Sequence, residues 1–419
     1  MRGWKVTSFS QILLDSKDGE WGKSEQLVGF CEVTIIRGTD FANLDNPSTE
    51  FPRRWVRDHI AERKHLQPGD IILETAGGTS TQSTGRTAIL KKSFFLHHSD
   101  IPVLCASFSR HLRLNTSKYS PRFIYYLLQE LHRTGYMAVF NIQHTGVSRF
   151  QYTAFKKHTE LQIPELRVQR QIAAILSAYD ELIENNMRRI ALLEKLTEEV
   201  YCEWFVRLRF PGHESAKFIK GTPQTWDNTT FGKFCVLKRG YDLPEQNVTP
   251  GSYPVVASTT IKTYHDEFKA EPPVITTGRS GSLGTVLMVN CRAWPLNTAL
   301  YVKDFCGNSP YLIFYTLKNM GLENFNSGAG VPTLNRNHIN GIKMAVPDKQ
   351  LQRQFDTTVK PLHEQKEQLT KATAVLTRAR ESLLPRLMSG KLSVENRDIH
   401  FPPGMAEELE AESTAAAYA

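Results

Sequence analysis

The sequence predicts an α+β chain of two similar globules, each of mixed strands and short helices. Two long helices forming an antiparallel coiled coil join them about an internal pseudo-two-fold. Three observations predict it. The chain repeats itself about 184 residues apart, the first feature to look for in any sequence. Ser120-Pro121-x-x-Ile124-x-Tyr126-x-Leu128 returns as Ser309-Pro310-x-x-Ile313-x-Tyr315-x-Leu317, Gly146-Val147 as Gly330-Val331, and Pro164 with Gln169-Arg170-Gln171 as Pro347 with Gln352-Arg353-Gln354. Each copy ends in an amphipathic segment several heptads long. At 419 residues, the chain is also too long for one hydrophobic core.

Residues 1–163 form the first globule. Its short β-branched runs, such as Val33-Thr34-Ile35-Ile36 before Arg37-Gly38 and Asp70-Ile71-Ile72-Leu73 before Gly77-Gly78, read as strands ended by turns. One helix is expected from Pro121 to about His132, opened by proline at its first position. From residue 164 to 212 the apolar period becomes helical: Ile172, Ile175, Tyr179, Leu182, Asn186, Leu193, Leu196 and Val200 mark a seam that stops at Pro211-Gly212. The seam is roughly 40 residues, or about 60 Å at the α-helical rise.

The plan then repeats over residues 213–346. Tyr253-Pro254-Val255-Val256, Val274-Ile275-Thr276-Thr277 and Gly284-Thr285-Val286-Leu287-Met288 read as strands, followed by a helix from Pro310 to Lys318. Over residues 347–400, Phe355, Leu362, Leu369, Leu376 and Leu383 recur every seven residues, with Pro361 expected to bend or break the helix near its first turns. Each long helix has one apolar stripe, and facing the two stripes buries both. Asn186, Lys366 and Arg380 would then help set register. Residues 401–419 are acidic and alanine-rich, the composition of a disordered tail.

A net charge of +8 favours a polyanionic partner. The six cysteines, with no C-x-x-C pair, read as thiols of a reducing cytoplasm, and no stretch is apolar enough to span a membrane, so a cytoplasmic protein with no membrane partner is expected. Enzyme motifs fail on inspection. Gly19-Glu20-Trp21-Gly22-Lys23-Ser24 spaces its glycines too closely for a phosphate loop, and Asn308-Ser309-Pro310-Tyr311 reads as a helix start. No histidine or cysteine cluster has metal-ligand spacing, and no nucleophile or acid/base set emerges, so neither catalytic residues nor a metal site are expected.

Both globules instead carry Gly-, Ser- and Thr-rich loops with basic residues, a composition suited to phosphates and base edges of DNA. In the second globule these are Lys238, Arg239 and Tyr241 around Gly240; Thr259, Thr260 and Lys262; Arg279, Ser280 and Ser282; and Asn335, Arg336 and Asn337. In the first, the matching candidates are Arg37 and Thr39 around Gly38; Ser80, Thr81 and Gln82 with Arg86; and Arg110 and Arg113.

Leu237-Lys238-Arg239-Gly240-Tyr241-Asp242-Leu243, Thr276 through Gly284, Trp294-Pro295-Leu296-Asn297-Thr298 and Gly330-Val331-Pro332-x-Leu334-Asn335 stand in this order with the two Gln-Arg-Gln helix signatures. So arranged, and duplicated, they resemble the specificity subunit of a type I restriction-modification enzyme over all but the acidic tail. The resemblance implies a non-catalytic chain whose two target-recognition domains each read half of a split sequence in double-stranded DNA, with the long helices as spacer. It implies two methyltransferase subunits and further restriction/translocase subunits as partners in DNA methylation and in defence against foreign DNA. It implies no cofactor on this chain; S-adenosylmethionine, ATP and Mg belong to the partners. The alternative is a coiled-coil scaffold that docks a methyltransferase complex without sequence preference on DNA.

Overall fold

The computed structural model describes residues 3–46, 49–78, 83–98, 100–144, 147–328, 330–395 and 397–406. The chain divides into two compact units, residues 1–187 with 371–419 and residues 188–370.

In the first unit, Leu13–Asp18 (β2), Ser109–Leu114 (β9), Ile71–Glu74 (β5) and Thr87–Ile89 (β7) form an antiparallel sheet in the order β2-β9-β5-β7. In a second sheet, Phe30–Ile36 (β3) pairs antiparallel with Arg53–Arg57 (β4) and parallel with Val103–Cys105 (β8). Lys5–Ser8 (β1) pairs with Glu160–Ile163 (β12), and Ala76–Gly78 (β6) pairs with the hairpin Asn141–His144 (β10) and Val147–Phe150 (β11). The helices are Phe9–Ile12 (α1), Asp58–Lys64 (α2), Lys92–His98 (α3), Pro121–Arg133 (α4), Tyr152–His158 (α5) and the first part of Leu166–Tyr201 (α6).

The second unit repeats this topology after a small hairpin, Phe218–Ile219 (β13) and Thr222–Pro223 (β14). Val236–Arg239 (β16), Ala299–Asp304 (β22), Val274–Gly278 (β19) and Val286–Val289 (β20) take the order β16-β22-β19-β20, all antiparallel. Tyr253–Val256 (β17) pairs antiparallel with Ile261–His265 (β18) and parallel with Trp294–Pro295 (β21), while Asp227–Thr230 (β15) pairs with Lys343–Val346 (β23). Phe231–Phe234 (α7), Pro310–Asn319 (α8), Arg336–Asn340 (α9) and the first part of Lys349–Met388 (α10) complete it. The family fold anticipated from the repeat, β-rich globules carried on long helices, is the fold observed.

The repeated letters have repeated jobs. Ser120 and Ser309 cap α4 and α8, their hydroxyls accepting from Phe123 N at 3.5 Å and Leu312 N at 3.1 Å, with proline at the next position. Gln169 and Gln352 are buried; each accepts from the capping serine's N–H, at 2.9 and 2.8 Å, and donates to Pro164 O or Pro347 O, at 2.9 and 2.8 Å. Each glutamine thus ties the start of a long helix to the short helix packed beneath it, satisfying polar groups that water cannot reach.

Within each unit, part of α6 meets part of α10. In the first, Ile172, Ala173 and Leu176 share a core with Leu384, Leu387 and Met388, and Arg380 donates to Asp180 at 2.6 Å. In the second, Lys366 reaches Glu194 at 3.0 Å, and the ring of Tyr201 lies 6.3 Å from that of Phe355. There α6 advances from 194 to 201 as α10 retreats from 366 to 355, so the segments run antiparallel.

The seam differs in detail from the heptad reading. Ile172 and Phe355 are buried, and Ile175, Tyr179, Asn186, Leu193, Val200, Leu362, Leu369, Leu376 and Leu383 are half-buried, but Leu182 and Leu196 are 51% and 49% exposed. Thr197 and His363 are buried instead. The residues at strict seven-residue spacing stay on the buried side throughout, and Leu182 and Leu196 each stand three residues past that series, so the shared face is narrower than the full stripe. Pro361 does not interrupt α10; it stands on an exposed face, where water can satisfy the carbonyl it leaves without a partner. The disordered tail expected from 401 is corrected at its start, where Met405 is 2% exposed in the first unit's core. The remaining residues, 407–419, lie outside the described ones.

Candidate nucleic-acid interface

In the second unit the candidate loops meet around the turn Leu296–Ala299. Gly240 follows β16 and lies against the end of β21: a Cβ there would stand 2.2 Å from Leu296 O, so glycine is required for Tyr241 N to reach Pro295 O at 2.8 Å. From the other side, Arg279 N and Ser280 N donate to Thr298 O at 2.8 and 3.1 Å, and the Arg279 guanidinium Nε donates to Asn297 O at 2.8 Å. The Ser258 hydroxyl reaches Thr298 O at 2.7 Å and Ser280 O at 3.1 Å. Leu334 N donates to Arg279 O at 2.8 Å and Gly281 N to Pro332 O at 2.9 Å, which brings in the loop before α9. The Asn297 amide donates to Asp242.

This framework presents polar side chains outward. Tyr241 accepts from Lys238 Nζ at 3.3 Å and shares a 3.0 Å hydrogen bond with Tyr301; that hydroxyl, with Lys238 beside it, holds the Tyr241 phenol below its ordinary pKa. Arg239 pairs with Asp242 at 3.1 Å and Lys262 with Glu245 at 2.7 Å, exposed pairs that a phosphate can displace at little cost. Thr259, Thr260, Ser282, Asn335, Arg336 and Asn337 are exposed, Asn335 also capping α9 by accepting from Asn337 N at 3.0 Å. Arg336 is anchored to Leu237 O at 3.3 Å. The sequence candidates of this unit lie in β16, β18 and α9 and in the loops beside them, with Ser280 half-buried among them.

The first unit has the same framework with other residues on it. Gly19 N donates to Ser109 O and Glu20 N to Cys105 O, both at 2.8 Å, as Gly240 N does to Ala299 O at 3.0 Å and Tyr241 N to Pro295 O. Thr75 N and Ala76 N donate to Phe108 O at 2.8 and 3.2 Å, and Phe150 N donates to Thr75 O at 2.9 Å, matching Arg279, Ser280 and Leu334. The counterpart of Lys238–Asp242 is therefore Lys17–Trp21; Thr75 takes the place of Arg279, and Phe108 that of Thr298.

The composition-based matches in the first globule change accordingly. Arg37 and Thr39 occupy the position following β3, equivalent to that of Ser258 after β17, and Arg37 is tied to Asp40 at 2.8 Å. Arg86 makes two bonds to buried Glu74, at 2.9 and 2.5 Å, and Arg113 two to buried Asp70, at 2.9 and 2.7 Å. Arg110 is held by Ser16 and Asp18 over the Tyr152 ring, 4.2 Å from its centroid. These three guanidiniums are structural ion-pair partners rather than free contact groups. Ser80, Thr81 and Gln82 lie outside the described residues. Lys17, Trp21 and Arg149 stand on this framework outside the sequence candidates, with Lys17 tied to Asp15 at 2.5 Å; the strand-ending Lys-x-Gly shared by Lys17-x-Gly19 and Lys238-x-Gly240 marks the first of them.

Among the described residues no group of three or more His, Cys, Asp or Glu is placed to hold a metal, and no helix is long and apolar enough to cross a membrane. The profile of the type I restriction modification DNA specificity domain matches residues 13–195. Residues 13–195 thus carry the DNA specificity domain of type I restriction-modification systems. It is similar to the putative MjaX specificity subunit of Methanocaldococcus jannaschii, 22% identical over 94% of both chains. It also resembles the MjaIX specificity subunit of that organism, 24% identical over 57% of this chain; the match spans 62% of that relative, under two thirds of its length. The StySPI specificity subunit of Salmonella potsdam is 27% identical over 48% of this chain and 42% of its own. The crystal structure of a type I restriction-modification S subunit from M. genitalium shares the fold at a TM-score of 0.59 and 19% identity, over 92% of this chain and 96% of that one. Specificity subunits are the non-catalytic members of their systems.

Proposed function

We propose that this specificity subunit reads a bipartite target in double-stranded DNA. Residues 1–163 and 213–346 act as two target-recognition domains, and the helical segments 164–212 and 347–400 act as spacer and as scaffold for two methyltransferase subunits. Restriction/translocase subunits join the full complex, and S-adenosylmethionine, ATP and Mg serve those partners. The observation that carries this reading is the duplicated framework: one strand order and one set of main-chain hydrogen bonds, in both units, present different side chains at equivalent positions. Two unlike half-sites require that combination of common architecture and divergent contact chemistry. In the assembled methyltransferase complex, Arg279→Ala is expected to weaken recognition of one half-site only, by roughly ten-fold for a base contact. Equal loss on cognate and random DNA would reduce Arg279 to a phosphate contact, and an absence of sequence preference in the unaltered complex would favour the scaffold reading.

A further inference from the structure

The turn that carries Asn297-Thr298 in the second unit carries Ser107-Phe108 in the first, and it is held from several sides. Ala106 N donates to Ile36 O and Ser109 N to Ala106 O, both at 2.8 Å, while Phe108 O accepts from Thr75 N at 2.8 Å and Ala76 N at 3.2 Å. Gly19 packs so closely that a Cβ there would stand 2.0 Å from Ala106 O. The main chain of Phe108 thus gives its carbonyl to two internal donors, and the group left for a partner is its ring. The residue is 63% exposed. Arg149, exposed and without a side-chain partner among the described residues, lies on β11 opposite Ala76, next in sequence to Thr75, one of the Phe108 donors. The equivalent position in the second unit carries Thr298, whose hydroxyl is buried, so the two units differ in chemistry at the centre of the same framework.

We propose that Phe108 is a specificity-determining residue of the first unit, its ring contacting the C5 methyl of a thymine in the major groove of one half-site. The inference rests on the DNA-reading function proposed above. A base edge with no hydrogen-bonding complement in the protein can still be told apart by its methyl group, and phenylalanine is one of the side chains that reads it. The rigid turn fixes where the ring stands, and the guanidinium of Arg149 supplies charge for the backbone of the same duplex.

The test uses the full chain assembled with its methyltransferase subunits, with fluorescence-anisotropy titrations on cognate and random duplexes and on cognate duplexes in which each thymine in turn is replaced by uracil. Phe108→Ala is expected to lower cognate affinity by about ten-fold, the scale of one lost base contact, and random-DNA affinity hardly at all. One thymine-to-uracil replacement, confined to one half-site, should weaken the unaltered complex and leave the Phe108→Ala complex unchanged, whereas Phe108→Leu keeps part of the discrimination. Equal loss on cognate and random DNA, or uracil effects that simply add to that of Phe108→Ala, overturn the proposal. If the unaltered complex fails to distinguish cognate from random DNA, the DNA-reading function itself is what fails. The exposed position makes Phe108→Ala neutral for folding, which a urea midpoint equal to that of the unaltered chain confirms.

Discussion

His363 makes the second unit acid-sensitive by an amount that follows from its burial. The side chain lies on α10 with its residue 7% exposed, its Nε2 2.9 Å from the Tyr315 hydroxyl, and the rings of Tyr311 and Phe314 against it. Burial, reinforced by Lys366 and Lys318 and opposed by Glu194, lowers its pKa from 6.5 to about 4, so the folded chain holds it neutral. The unfolded chain takes up the proton first as pH falls. Stability is therefore intact above pH 6.5 and lost progressively toward pH 4, by about 2 kcal/mol at pH 5. Urea unfolding of the whole chain and of His363→Gln at pH 7.5 and pH 5.0 isolates this contribution, because glutamine can still accept from Tyr315 but does not titrate. The variant should lose about 2 kcal/mol less than the unaltered chain between the two pH values. Equal losses in both chains would refute the reasoning, placing the imidazole in contact with water or its proton elsewhere.

Gln352→Ala should destabilise the second unit by about 2 kcal/mol, because Ser309 N and Pro347 O lose their shared partner in a dry site, and the fall is read as a lower urea midpoint. Arg86→Ala should act on folding rather than on base preference. It leaves the Glu74 carboxylate, 4% exposed, without its cation, at a cost of about 3 kcal/mol by urea unfolding, and pairing it with Glu74→Leu should recover most of that loss.

Much of the architecture was legible because the letters that repeat are those with strict structural work. The Ser-Pro pairs cap helices, and the glutamines bridge buried main-chain groups, so a change at either position leaves a polar atom unsatisfied. The long helices were legible from their period. Which of their leucines are buried was not: the seven-residue series stays on the buried side, while Leu182 and Leu196, three residues past it, fall on the water side because the shared face is narrow. The second unit's loops were recognisable because glycine marks places where main chains nearly touch, as at Gly240 and Gly278. In the first unit, composition pointed to arginines that buried carboxylates already hold. The equivalence of Lys17–Trp21 with Lys238–Asp242, and of Phe108 with Thr298, depends on hydrogen bonds between strands far apart in sequence. A basic loop and a structural ion pair contain the same letters; the position of Glu74 or Asp70 in three dimensions separates them.

The central claim, that one chain reads two half-sites, is tested most directly by mapping N6-methyladenine across the genome of a host lacking other methyltransferases and expressing this chain with its methyltransferase subunit. The expected result is one methylated split motif, with two unlike halves at a fixed gap, that disappears when this chain is removed. A stable complex that methylates no such motif, or whose methylation persists without this chain, would contradict it.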